Sequence, residues 1–138
     1  MDITVTFGSG MKINAHFNNF TVNTDQAKQV GGEATFPDPF SYFLSSIATC
    51  AGFFVLRFCQ SRDIPTAGIQ VRMSNDWNPI QKLVENIQIE ITVPPTFPEK
   101  YAPALIRAVN ECSVKKALIT PPHIEVTTKV VEGQTNLK

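Results

Sequence analysis

Apolar and polar residues alternate along the first part of the chain, over residues 3–7, 11–17 and 20–24. A period of two buries one side of an extended segment and exposes the other, which is typical of half-buried strands. Gly8-Ser9-Gly10 and Asn18-Asn19 separate the three segments, and residues of these types favour tight turns. The pattern predicts three antiparallel strands joined by two turns.

A long uncharged stretch, PFSYFLSSIATCAGFFVL, occupies residues 39–56. Its apolar residues point in nearly every direction around a helical wheel, so the helix is either a membrane span or the buried centre of a compact fold. The length is at the lower limit for crossing a membrane. Internal serine and threonine residues, and the absence of a flanking positive cluster, favour the buried helix. Asp38 and Pro39 are typical of a helix start, and we predict a central helix from Pro39 to about Arg62.

The middle of the chain again has the period of a strand. Alternation over residues 69–74 and 87–93 predicts two further strands, with a turn at residues 75–79 between them. Thr96 and Glu99 then have the spacing of a capping box, which indicates the start of a second helix.

An amphipathic helix is predicted between residues 103 and 112, followed by short helical turns over residues 113–119. Alternation over residues 124–130 predicts a last strand, and the tail from Gly133 is expected to fray. The predicted order is βββ-α-ββ-α-β. This order is typical of an α+β fold in which an antiparallel sheet covers the helices, and residues 1–138 form one domain.

A chain of 138 residues is barely large enough to cover a long apolar helix on every side. A second copy would supply the missing surface. We therefore expect a homodimer with the central helices near its middle.

Composition narrows the function classes. The chain has 12 basic and 12 acidic residues and no long run of either, so neither nucleic acid nor an anionic membrane is an expected partner. The first residues lack the pattern of a signal peptide. Three cysteines without CxxC spacing argue against a secreted disulfide scaffold and a zinc site. We expect a cytoplasmic protein with free or redox-active thiols and no metal or cofactor.

The cysteines are the candidates for chemistry, because His16 and His123 belong to no nucleophile or metal motif. Cys59 follows Cys50 by nine residues and lies on the opposite side of the same helix, so these two cannot form a disulfide. Cys59 is expected to be a core residue. Cys112 lies at a break in the second helix and could approach Cys50 if the helices pack. The residues alone leave two interpretations open, a redox pair and two inert buried thiols.

The chain resembles the OsmC/Ohr family of osmotically inducible and organic hydroperoxide resistance proteins. The stretch PDPFSYFLSSIATC, which ends at Cys50, is similar to the family's first-cysteine helix, and NECSVK around Cys112 is similar to its second-cysteine motif. The segments TDQ, GGE and GFFVLRFCQSRDIPT also resemble an OsmC-like branch. The resemblance covers essentially the whole chain.

This resemblance implies an intertwined α+β homodimer with its active sites at the subunit interface. It also implies thiol-dependent reduction of hydroperoxides, especially organic ones. Cys50 would be the peroxidatic thiol that forms a sulfenic acid, and Cys112 would resolve it as a disulfide for a dithiol reductant. Phe40, Phe43 and Phe54 would either line an apolar cleft for the peroxide or form ordinary dimer core.

Two features depart from the family pattern. Phe40 stands where peroxidase members carry a Glu, and no Arg precedes Arg57 to hold the thiolate. Lys12, Glu33 and Arg57 are possible substitutes, although none matches the motif. A second hypothesis is therefore a non-catalytic OsmC-like dimer that binds a small apolar ligand or a partner at the subunit interface.

Overall fold

The computed structural model describes residues 1–130. Within them the chain forms five strands, three α-helices and two single-turn 3-10 helices, at Lys28–Val30 and Glu99–Tyr101. In chain order the larger elements are β1 (Thr4–Phe7), β2 (Ile13–Phe17), β3 (Phe20–Thr24), α1 (Pro39–Gln60), β4 (Gln70–Asn78), β5 (Leu83–Thr92), α2 (Ala102–Asn110) and α3 (Ser113–Ile119). The predicted α+β fold with antiparallel sheets and a long central helix is confirmed.

The first three strands form an antiparallel sheet in the order β1-β2-β3. Ala15 at the centre of β2 lies opposite Val5 on one side and Val22 on the other. Asn18, in the turn between β2 and β3, has a φ of 49°, a left-handed conformation that asparagine tolerates better than most residues. The three predicted strands and their turns therefore formed, although all four residues of β1 are exposed within the described chain.

Helix α1 begins at Pro39, directly after its capping residue Asp38. The Asp38 carboxylate accepts hydrogen bonds from the backbone N–H groups of Phe40 (2.9 Å) and Ser41 (3.1 Å), and Pro39 occupies the first helical position. These bonds satisfy donors that have no partner inside the helix. The helix ends at Gln60, two residues before the predicted end.

The second sheet is a long hairpin of β4 and β5. Met73 pairs with Ile89 and Val71 with Ile91, which aligns apolar side chains on one face. The turn predicted at residues 75–79 is wrong for its first four positions, because β4 continues through Asn78. Pairing across the hairpin outweighed the local turn preference of Asn and Asp.

Helix α2 starts at Ala102 with Pro103 in its first turn, where a missing N–H costs nothing. The predicted capping box is wrong, since no side chain caps α2 and Glu99 opens a 3-10 turn after Pro98. The predicted amphipathic helix is confirmed, because Leu105 and Val109 on one face of α2 are buried.

One hydrophobic core joins α1, α2 and the second sheet. The buried face of α1 packs against α2, and the rings of Phe58 and Tyr101 meet edge to face with their centroids 6.1 Å apart. Val71 and Ile89 pack against the same cluster from the sheet. The buried members are Ala51, Val55, Phe58, Cys59, Phe97, Leu105 and Val109.

The predicted last strand is not formed within the described chain. Residues 121–130 have no regular secondary structure, and the side chains of Ile124, Val126 and Val130 are 78%, 88% and 90% exposed. A strand exists only when an edge accepts its backbone hydrogen bonds, and no described segment pairs with this one. The fraying expected from Gly133 concerns residues outside those described.

Helix α1 is long and apolar enough to cross a membrane, judged by length and composition alone. In its most apolar 18-residue window, 28% of the residues are buried inside the chain. Phe53 is 51% exposed and Leu56 is 41% exposed. One face of α1 thus forms the core, while much of its apolar surface has no cover from the described residues.

Candidate functional site

The packing of α1 against α2 and α3 places the Cys50 and Cys112 thiols beside each other. Cys50 lies in the middle of α1 and is half-buried, and Cys112 lies between α2 and α3 and is buried. Both are free thiols. The two cysteines of the motifs are therefore brought together, although they are far apart in the sequence.

The environment of Cys50 lowers the pKa of its thiol. Burial acts in the opposite direction and is the largest single effect, because it disfavours the thiolate. The Cys112 thiol and then the backbone N–H groups of Val114 and Ser113 favour the thiolate, and together they outweigh the burial. Cys50 is consequently the thiol of the pair that ionises more easily.

The pKa of Cys112 is raised. Burial is the largest cause, and the neighbouring Cys50 adds to it by competing for the negative charge. The Cys112 sulfur accepts a hydrogen bond from the backbone N–H of Lys115 at 3.5 Å, which caps α3. Cys112 therefore tends to stay protonated while Cys50 ionises.

Cys59 lies apart from this pair. It is fully buried in the core, where burial raises the pKa of its thiol and the nearby Arg62 only partly opposes the increase. The structure places Cys59 as a small core residue, in the position that its helical spacing predicted.

The suggested charged substitutes do not reach the thiol pair. Lys12 forms an ion pair with Glu33, and Arg57 lies against the Phe53 ring. No charged side chain within residues 1–130 contributes to the pKa of Cys50. The groups that lower the pKa are the Cys112 thiol and the backbone N–H groups of Val114 and Ser113 at the start of α3. The sequence indicated helical turns after Cys112 but contained no signal that they face Cys50.

The Asp25 carboxylate binds the loop that carries Glu33. Asp25 is buried and accepts hydrogen bonds from the backbone N–H groups of Gln26, Glu33 and Thr35 and from the Thr35 hydroxyl. These donors, with the Thr35 N–H as the largest cause, lower the pKa of Asp25 to about 2.

An apolar cavity of about 240 Å³ adjoins Cys112, whereas Cys50 is not among its lining residues. It opens between β5, α2 and α3, and Phe40, Phe43 and Phe54 are not among its lining residues. Phe40 and Phe43 contact each other, and Phe54 lines a different groove. Whether these phenylalanines form a cleft or core at a subunit interface stays a prediction. We call this space the isoleucine cavity, and its walls include Ile47, Ile89, Ile106, Cys112, Lys115 and Leu118.

Neither histidine lines the isoleucine cavity or contributes to the pKa of Cys50. The His16 ring bridges the hydroxyl groups of Thr6 (2.9 Å) and Thr21 (3.1 Å) across the first sheet, which is a structural role. His123 lies in the exposed segment after α3. Within the described part of the chain, no three His, Cys, Asp or Glu side chains are grouped so that they could hold a metal ion.

Comparison with known proteins gives one family. The family model described as OsmC-like protein matches residues 31–127. No curated protein matches the sequence.

Solved structures share the fold at low sequence identity. A protein of Psychrobacter arcticus, described as an osmotic stress induced and detoxification response protein, has a TM-score of 0.70 and 20% identity over 83% of this chain and 85% of its own. An OsmC-like protein from Mycoplasma pneumoniae has a TM-score of 0.68 and 17% identity over 87% of each chain. An organic hydroperoxide resistance protein OsmC from Legionella pneumophila has a TM-score of 0.52 and 14% identity over 85% and 87%.

Proposed function

The chain belongs to the OsmC-like protein family, and we propose from this premise that it reduces organic hydroperoxides through Cys50 and Cys112. The family includes organic hydroperoxide resistance proteins. The observation that carries the proposal is the pairing of a half-buried thiol of lowered pKa with a second free thiol beside it. This is the arrangement that a peroxidatic and a resolving cysteine require.

In the first step the Cys50 thiolate attacks the terminal oxygen of the hydroperoxide. The O–O bond breaks, the terminal oxygen stays on sulfur as a sulfenic acid, and the remaining alkoxide takes a proton from solvent to leave as an alcohol. Cys50 is oxidised and the peroxide is reduced by two electrons. The Val114 and Ser113 N–H groups, which lower the pKa of Cys50, favour the thiolate that this step needs.

In the second step the Cys112 thiol attacks the sulfenic sulfur of Cys50. A disulfide bond forms, the S–O bond breaks, and the Cys112 proton leaves with the hydroxide as water. An external dithiol then reduces the disulfide by thiol–disulfide exchange and becomes a disulfide itself. The raised pKa of Cys112 keeps it from competing with Cys50 as the first nucleophile.

The isoleucine cavity would hold the organic part of the peroxide. Its lining is largely aliphatic and includes Lys115 and Cys112, the direct neighbour of Cys50. Burial of an alkyl or aryl group there contributes binding free energy without any specific polar contact. The size of about 240 Å³ suits a small organic group.

We also propose that the protein acts as a homodimer. The incompletely covered apolar surface of α1 and the unpaired segment of residues 121–130 support this. In an intertwined dimer the segment would pair with a sheet edge of the second copy, which would satisfy its backbone groups and cover its apolar side chains.

The decisive experiment follows peroxide consumption and the state of each cysteine in the reduced protein. After one equivalent of cumene hydroperoxide, peptide mass spectrometry should find a Cys50–Cys112 disulfide in the wild type and a Cys50 sulfenic acid in Cys112→Ser. Cys50→Ser should consume peroxide no faster than buffer. Cys59→Ser serves as the matched thiol control and should keep the wild-type rate. Equal, slow consumption by wild type and Cys50→Ser, with no linked peptide, would reject the proposal.

A second candidate function is a non-catalytic dimer that binds a small apolar ligand in the isoleucine cavity. Phe40 occupies the position of the family Glu, and no charged side chain among residues 1–130 acts on the pKa of Cys50. Inert thiols in the experiment above would favour this candidate.

A further inference from the structure

The isoleucine cavity is apolar over most of its surface but carries a positive charge at one place. Its aliphatic residues come from α1, β5, α2 and α3, and two polar side chains, Asn110 and Lys115, complete the lining. Lys115 is half-buried and is the charged member of that lining within the described part of the chain. The charge distinguishes this cavity from a purely apolar pocket.

A hydrogen bond holds the Lys115 side chain against the cavity wall. The Lys115 ammonium donates to the Asn110 Oδ1 atom at 2.5 Å, and this bond joins the end of α2 to α3. An ammonium group has three N–H donors, of which Asn110 accepts one. Two donors therefore remain for a ligand or for water.

The positive charge of Lys115 has no carboxylate partner within residues 1–130. The ion pairs found there use Lys12 and Lys116, and Glu111, the acidic residue nearest to Lys115 in the sequence, is paired with Lys116. Water solvates a cation less well beside aliphatic surface, so an anion placed next to it gains more from Coulomb attraction. The cavity thus complements a ligand that is apolar along its length and anionic at one end.

The Lys115 ammonium lies apart from the reacting sulfur. A positive charge close to a thiol would lower its pKa, yet this ammonium contributes to the pKa of neither Cys50 nor Cys112. An anion bound at Lys115 would accordingly be distant enough from the Cys50 thiolate to avoid strong repulsion. The charged end of a ligand can therefore lie at Lys115 while its other end lies toward Cys112.

The walls of the cavity are distinct from the surfaces that we assign to the homodimer. Ile47, the α1 residue in the lining, is buried inside the chain and is 2% exposed. The exposed Phe53 and Leu56 of α1 do not line the cavity, and neither does any of residues 121–130. A dimer formed through those surfaces leaves these walls in place.

We propose that the substrate of this site is a small organic hydroperoxide that carries a carboxylate, with the carboxylate on Lys115 and the hydrocarbon part against the isoleucine side chains. This inference rests on the proposed function, because it names the substrate class of the same site. The covalent steps are unchanged, and the carboxylate takes no part in them. Lys115 determines specificity and is not a catalytic residue.

The kinetic test compares para-carboxycumene hydroperoxide with the corresponding carboxamide, which has nearly the same shape but no charge. The wild type should show about tenfold higher kcat/KM for the carboxylate, mainly through a lower KM. Lys115→Met should lose this preference and keep its kcat/KM for the carboxamide within about twofold of the wild type. Lys100→Met removes the same charge from an exposed position outside the cavity and should keep the preference.

The binding test needs no reaction. By calorimetry, Cys50→Ser should bind para-isopropylbenzoate about tenfold more tightly than para-isopropylbenzamide. Adding Lys115→Met to this variant should make the two affinities equal, because the hydrocarbon contacts are the same for both ligands.

Three results would overturn the inference: equal kcat/KM for the two hydroperoxides in the wild type, a preference that survives Lys115→Met, or equal loss in Lys115→Met and Lys100→Met. Equal affinity of Cys50→Ser for the benzoate and the benzamide would also overturn it. Reduction of both hydroperoxides at equal rates leaves the proposed function standing. If neither hydroperoxide is reduced, the proposed function and this substrate class fail together, and a Lys115-dependent preference for the benzoate would still assign the anion-binding group.

Discussion

At the scale of single residues, Cys50 and Cys112 carry the same side chain, yet their surroundings move the two pKa values in opposite directions. Burial by itself acts to raise the pKa of each thiol. Cys50 also receives the Val114 and Ser113 N–H groups, which Cys112 does not share equally, so the negative charge of the pair resides mainly on Cys50. The pKa of Cys50 is thus lowered by a neighbouring thiol and neutral backbone N–H groups, whereas the resemblance to the family suggested an arginine for this role.

This difference predicts the pH dependence of the Cys50 reactivity. Since the pKa of Cys50 is lowered, its alkylation by iodoacetamide should rise with pH and level off at a lower pH than for an unperturbed thiol. Cys112→Ala removes the largest of the contributions that lower the pKa of Cys50, so the midpoint should move to higher pH. Peptide mass spectrometry over a pH series measures both midpoints.

The matched control for this prediction is Cys59→Ala, because Cys59 lies in the core and does not influence the pKa of Cys50. Its Cys50 midpoint should equal that of the wild type. An unchanged midpoint in Cys112→Ala would mean that the two thiols do not interact in solution.

At the scale of elements, the three helices begin in different ways. Asp38 caps α1 with its carboxylate, the Cys112 sulfur caps α3, and no side chain caps α2. The α1 cap matters most for the site, because it sets where the helix carrying Cys50 begins. The Asp38 carboxylate also accepts the Ser41 hydroxyl at 2.5 Å, which adds to the two backbone bonds.

Asp38→Ala should lower the free energy of unfolding by about 1 kcal/mol, the usual cost of losing a helix cap. Asp38→Asn should lower it less, because an amide oxygen still accepts the backbone N–H groups. Denaturant unfolding followed by circular dichroism measures the three values. Asp2→Ala, which removes an exposed carboxylate near the N-terminus, should change stability little. Equal stability of Asp38→Ala and wild type would contradict the role of the cap.

At the scale of the whole molecule, apolar surface remains exposed on α1 and along residues 121–130, and also on strands such as β1. Exposed apolar patches of this kind mark interaction surfaces. The alternation of Ile124 and Val126 with Glu125 and Thr127 is that of a strand with one buried face, and an edge from a second copy would complete it.

The proposed homodimer predicts a mass of twice the 15.3 kDa chain by light scattering at micromolar concentration. Ile124→Asp/Val126→Asp places charges on the face that pairing would bury, and this variant should shift the mass toward that of the monomer. Thr127→Asp, on the opposite face of the same segment, should remain dimeric. A monomeric wild type would reject the dimer, and loss of the dimer in both variants would reject the proposed pairing.

Local patterns in the sequence were enough to predict most of the elements. The period of two in β1–β3 and β5, the cap at Asp38 and the stripe of α2 all concern neighbours in the chain, and these features depend little on distant residues. The two cysteine motifs resembled one family, and that assignment was confirmed. The turn predicted at residues 75–78 was wrong because pairing with β5 outweighs the local preference of these residues. The strand predicted at residues 124–130 was wrong because no described segment pairs with it.

Only the tertiary structure decided which groups meet at the site. It brought Cys112 against Cys50, directed the Ser113 and Val114 N–H groups toward the Cys50 sulfur, and lined the adjoining cavity with aliphatic residues of β5, α2 and α3. The physical reason is that periodicity specifies which face of an element is apolar, but not which element that face will contact. Contacts between distant segments depend on how whole helices and sheets pack, and the pKa of Cys50 depends on those contacts.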